Sequence, residues 1–115
     1  MPRRLARVDR AATTPDGAVW VGRGSVWPCP FHPGARYVLG LPGKEHVPTP
    51  TTRSAIYPDV LTVKTWDEVP ELYRVWVTHH YGIPNIQRLL GGKDLACYCH
   101  GDMICHGDTL LELAN

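Results

Sequence analysis

The chain has 115 residues, 43% of them hydrophobic, with 12 basic against 11 acidic side chains. That length supports one domain with a modest core and is too short for two, and a formal charge of +1 excludes a general pull toward nucleic acid or an anionic membrane surface. No apolar run of about 18 residues occurs, which excludes a membrane-spanning helix.

The first residues are basic, with four arginines between Arg3 and Arg10, and no apolar segment of the secretory kind follows them. The expectation is therefore a cytoplasmic protein. Residues 1–16 read as a flexible basic arm that ends at the turn signal Pro15-Asp16-Gly17, leaving residues 17–115 as a single domain. In a reducing compartment the four cysteines point to metal binding or catalysis more than to disulfides.

Residues 18–21 form the first apolar run with strand composition, and they lead into Gly22-Arg23-Gly24-Ser25-Val26-Trp27. A glycine-flanked arginine after a strand lets backbone approach an anion while the guanidinium grips it. Gly22, Arg23, Gly24, Ser25 and Trp27 are accordingly candidate ligand residues. The pattern lacks the third glycine of a dinucleotide fingerprint and the Lys-Ser/Thr ending of a P-loop. A tight turn whose Trp27 and Phe31 cap the core is the competing reading.

Between Pro28 and Pro58 the chain is rich in proline and glycine, which argues for a long ordered loop with one edge strand at residues 36–39. His32 and His46 fall here and read as solvent-exposed. Thr65, followed three residues later by Glu68, has the form of a capping box. The helix it opens buries Val69, Leu72, Tyr73, Trp76 and His80, and Gly82 with Pro84 ends it. Adjacent helix residues point about 100° apart, so one of His79 and His80 is expected outside and the other packed. Residues 84–90 predict a short second helix, stopped by Gly91-Gly92.

The final quarter carries the densest chemistry: three of the four cysteines and two of the six histidines lie between Cys97 and His106. Residues 95–99 read as a strand, and Leu110, Leu113 and Ala114 recur at helical spacing. On a strand Cys97 and Cys99 point to the same face. Cys105 and His106 fall at the start of the last helix, where unpaired amides and the helix dipole favour a thiolate. Asp108 supplies the acidic residue that a first turn prefers. The order of elements predicts an α/β fold: a small, mainly parallel sheet with flanking helices. Ligands of such sheets bind beyond the carboxyl ends of the strands, so the loop after Val21 and the turn from Cys97 to His106 are expected to face one site.

Three motifs resemble those of a known family. Gly22, Arg23, Ser25, Trp27, Pro30 and Phe31 match a GRxSxWGNPF motif, Tyr73, Arg74 and Trp76 match YRxW, and Gly92, Lys93, Leu95, Cys97, Cys99, Cys105 and His106 match GKxLxCxC followed by CHxxxLLELAN. Together they resemble the small bacterial and phage proteins of the family "domain of unknown function 4326". The resemblance implies an α/β domain that pairs the arginine loop with the Cys/His turn, and it implies no activity. Where the family has Gly-Asn after the tryptophan, this chain has Pro28-Cys29.

Three functional readings compete. In the first, Arg23 and its loop hold a small anionic, nucleotide-like or nucleoside-like ligand, Trp27 stacks its base, Cys105 with His106 as base, or Cys97, acts as nucleophile, and Lys93 and Asp94 assist. In the second, Cys97, Cys99, Cys105 and His106, or His100 in place of His106, hold a structural zinc ion. The third is a non-enzymatic interaction module, its thiols buried as small hydrophobes and its partner a host protein.

Overall fold

The computed structural model describes residues 2–5, 8, 14–22, 24–51, 60–97 and 104–115. Its centre is a strand of two residues, β6 (Leu95–Ala96), flanked by β1 (Arg4–Leu5) and β2 (Val19–Trp20) in a fully parallel sheet of order β1-β6-β2. Leu95, Ala96 and Cys97 are all buried, the continuous apolar run that a doubly covered parallel strand requires. Both edges of β6 are bonded: Leu95 and Cys97 donate to the carbonyls of Arg3 and Leu5 at 3.0 and 3.1 Å, and the carbonyls of Asp94 and Ala96 accept from Val19 and Val21, each at 2.9 Å.

This pairing bears on residues 4 and 5 of the arm expected at residues 1–16, several of which lie outside the described residues. Arg4 and Leu5 form an outer strand of the sheet, and further on Val8 donates to the Cys97 carbonyl at 2.9 Å. Two residues within a basic segment give no periodic signal, and their partners lie about 90 positions away.

The proline-rich middle builds a second sheet, antiparallel, from β3 (Arg36–Val38), β4 (Thr49–Pro50) and β5 (Val60–Thr62) in the order β4-β3-β5. Only the strand at residues 36–39 was expected there. Pro50 is tolerated because β4 lies at an edge, where a missing donor breaks no ladder.

A 3₁₀ turn at Trp66–Glu68 opens α1 (Val69–Tyr81), followed by α2 (Ile83–Leu90) and α3 (His106–Ala114). The Glu68 carboxylate accepts from the backbone of Thr65 at 2.8 Å and of Lys64 at 2.6 Å, the reciprocal half of the expected capping box. Gly82, at φ +84°, then lets α1 turn directly into α2. Tyr73, Val77, Ile86, Leu90 and Leu110 seal the helices against the sheet with at most 1% exposure. Each contributes roughly 1.5–3 kcal/mol by leaving water. Both His79 and His80 are exposed, against the expectation of one packed ring. His80 instead stacks on Trp76, four residues back, with centroids 5.3 Å apart and planes 7° from parallel. Among the described residues no helix is long and apolar enough to cross a membrane. The result is a mixed α/β domain containing the expected small parallel sheet.

Candidate functional site

The chemistry collects at the carboxyl end of β6. Cys97 follows the strand directly, and the described chain resumes at Ile104, with Cys105 as the N-cap of α3. The Cys105 backbone is extended, at φ −140°, and its Sγ accepts from the amide of Gly107 at 3.4 Å. A thiol thus takes the place that Ser, Thr or Asp usually fills at a helix start. It also brings the Sγ atoms of Cys105 and Cys97 to 3.4 Å. Arg4 reaches across from β1: Nη1 lies 3.5 Å from the Cys97 sulfur, and Nε donates to Asp108 at 3.0 Å. Burial works against the Arg4 charge, but the Cys97 sulfur and the Asp108 carboxylate outweigh it and hold the guanidinium above its ordinary value. Gly107 leaves room for this arm, since a Cβ there would stand 3.2 Å from Arg4 Cδ.

His106, the first residue of α3, turns its ring back to the sheet, where Nε2 lies 2.6 Å from the Val21 carbonyl. A carbonyl only accepts, so Nε2 carries the proton. Burial pushes the imidazole below its usual value, and the Val21 bond pulls the other way with less effect. In the neutral ring Nδ1 is then a lone pair, and it lies 3.9 Å from Cys105 Sγ. The edge of Tyr73 meets the same ring, with centroids 5.3 Å apart.

The loop after β2 is closed by its own groups. Ser25 Oγ donates to the Gly22 carbonyl at 2.7 Å and accepts from the Trp27 amide at 3.1 Å. Gly24, at φ +87°, occupies the left-handed region that glycine enters without strain. Gly22 is required by packing, because a Cβ would come within 2.5 Å of the Trp20 indole. Trp27 and Phe31 are core residues at 3% and 2% exposure, as in the tight-turn reading. The Trp27 carbonyl also accepts from the Tyr73 hydroxyl at 3.0 Å.

A cavity of about 290 Å³ opens between this loop and the start of α3. Gly22, Cys105 and His106 line it, together with Phe31, His32 and Trp66. From the loop Gly22, and from the turn its end at Ile104, Cys105 and His106, line this one concavity. Sequence reasoning missed three contributors, of which His32 was read only as an exposed loop residue. Trp66, half exposed, was legible only as a capping-box neighbour. Arg4 was assigned to a tail.

Lys93 and Asp94 lie elsewhere, at the amino end of β6. Asp94 Oδ1 accepts from the Arg3 amide at 3.0 Å, and Lys93 is exposed. Arg23, Cys99 and His100 lie outside the described residues. Of the expected zinc ligands Cys97, Cys105 and His106 come together, while among the described residues no group of three or more acidic, Cys or His side chains is placed to hold a metal ion.

A family model described as Domain of unknown function (DUF4326) matches residues 5–115, essentially the whole chain. No curated protein and no solved structure matches.

Proposed function

The chain belongs to the family of domain of unknown function 4326, and from the chemistry of the cavity we propose that it binds a nucleotide-like or nucleoside-like ligand there. The observation that carries this reading is the lining. Trp66 and Phe31 give aromatic walls, and Cys105, His106 and His32 give a few polar atoms. Small-molecule sites are mostly apolar clefts with a small number of orienting polar groups. About 290 Å³ accommodates a ring of nucleobase size, and Trp66, rather than the buried Trp27, is the indole on which such a ring stacks. The phosphate falls to Arg23, which follows the cavity residue Gly22 in the chain. Cys105 serves as nucleophile and His106 Nδ1 as its proton acceptor.

The test is calorimetric titration with nucleobases, nucleosides and their phosphates. Trp66→Ala is expected to weaken every ligand that binds by about 1–3 kcal/mol, the usual worth of a base-aromatic stack. Arg23→Ala is expected to weaken only the phosphorylated ones. Unchanged affinities in both variants, or no binding by any compound of the series, would sink the proposal.

One observation favours the interaction module. Trp66 and Ile104, both cavity residues, expose 49% and 38% of their surfaces, an apolar rim that a host protein would cover. Zinc enters this second reading as the support of the turn. Elemental analysis showing about one zinc per chain, lost together with the fold on chelation, would favour it.

A further inference from the structure

Cys97 and Cys105 come from different elements, the end of β6 and the cap of α3, yet their sulfurs are 3.4 Å apart. Their exposures are 1% and 5%. Both stand as thiols, and donors converge on the pair: the Gly107 amide on Cys105 and the Arg4 guanidinium on Cys97. Amide and guanidinium donors stabilise negative charge on sulfur, and His106 Nδ1 stands 3.9 Å from Cys105 Sγ to receive its proton. The Arg4 cation so close to Cys97 works against a divalent metal at the same sulfur. Cys105 also lines the cavity, which gives it a route to small oxidants.

We propose that Cys97 and Cys105 form a reversible redox couple, closing to an intramolecular disulfide with a hydroperoxide as oxidant. The Cys105 thiolate attacks the terminal peroxide oxygen, the O–O bond breaks, and the leaving alkoxide or hydroxide takes up a proton. Cys105 is then a sulfenic acid. The Cys97 thiolate attacks the Cys105 sulfur, the S–O bond breaks, and hydroxide leaves as water. In sum, two thiols and one hydroperoxide give one disulfide, one alcohol or water, and one further water, with two electrons passing from sulfur to the peroxide oxygens. The sulfurs must close to about 2.05 Å. Cys105 makes that move, since β6 is bonded along both edges, and its sulfur withdraws from the Gly107 amide and the cavity wall. The couple does not depend on what ligand the cavity takes.

The experiment treats the wild-type chain with equimolar hydrogen peroxide, blocks the remaining thiols with an alkylating reagent, and maps the peptides without reduction. The expected result is a loss of two hydrogens, a Cys97–Cys105 link, two fewer alkylated thiols, and full reversal by dithiothreitol. Cys97→Ser, with folding checked by circular dichroism, is expected to stop at a Cys105 sulfenic acid that dimedone traps, while Cys29→Ser and Cys99→Ser still close the link. A link through Cys29 or Cys99, a cross-linked dimer, direct over-oxidation of Cys105, or inertness to peroxide that oxidises free cysteine would each overturn the proposal. The wild-type map decides it even where a variant does not fold.

Discussion

The two sheets use strand pairing for opposite ends. β4-β3-β5 is drawn from residues 36–62, a compact stretch of neighbouring chain, and one of its faces is wet, with Leu61 43% exposed. β1-β6-β2 gathers three pairs of residues from the two ends of the chain, with β6 fully buried. Among the described residues, Arg4, Cys97, Cys105 and His106 gather at the second. A sheet assembled from distant segments places at one point side chains that no local motif can bring together, as with Arg4 and Asp108, which are 104 positions apart. The local sheet contributes surface and frame; the long-range sheet makes the site.

The comparison breaks first at Leu95. Leu95→Ala removes a fully buried side chain from the central strand and is expected to cost about 2–5 kcal/mol, read by urea denaturation. Gly22→Ala comes next. Its methyl meets the Trp20 ring at 2.5 Å, and overpacking of this kind costs about 1–3 kcal/mol. Adding Trp20→Leu should restore part of the loss, a non-additivity that only contacting residues show.

Arg4→Leu tests whether a side chain only 7% exposed outweighs an ordinary surface pair. Because its partner Asp108 is 57% exposed, the expected loss is about 1 kcal/mol. Arg74→Leu, which breaks the more open pair with Glu112 at 2.6 Å, should cost less. The Arg4 variant should also slow alkylation of Cys97, whereas the Arg74 variant should not.

A smaller effect follows from His106. Its folded-state value lies below the ordinary 6.5, so below that pH the unfolded chain binds the proton first, and stability is expected to fall as pH drops from 6.5 toward the folded value. His106→Gln should flatten the urea midpoint across that window. The smallest change is Leu61→Ala on the wet face of β5, expected within about 0.5 kcal/mol of wild type.

Much of this molecule can be read from its residues where the determinants are local. The buried run at Leu95, the Thr65 to Glu68 box, the glycine after Tyr81 and the apolar spacing of α3 each announce an element through a neighbour no more than four positions away. The convergence of Gly22 with Cys105 and His106 on one cavity followed from a topological rule about parallel strands. What stayed hidden depends on distant partners. Arg4 is a tail residue until β6 is known, and Trp27, conspicuous after its glycines, is claimed by the Tyr73 hydroxyl and the core. Trp66 faces the cavity because of how α1 is hung, which no periodicity encodes. The second sheet was obscured by prolines that are harmless only at an edge.

The position of β6 between β1 and β2 also sets a timetable. The two outer strands do not pair with each other, so neither has a ladder until residues 95–96 arrive, and in a chain made from its N-terminus these follow both outer strands by a long interval. Contacts spanning nearly the whole chain are slow to close. Helices α1 and α2 are assembled from local contacts beforehand, and insertion of β6 is the late step. The same event carries Cys97 to Arg4 and delivers α3 with Cys105, so the thiols acquire their donors only as the last strand zips in.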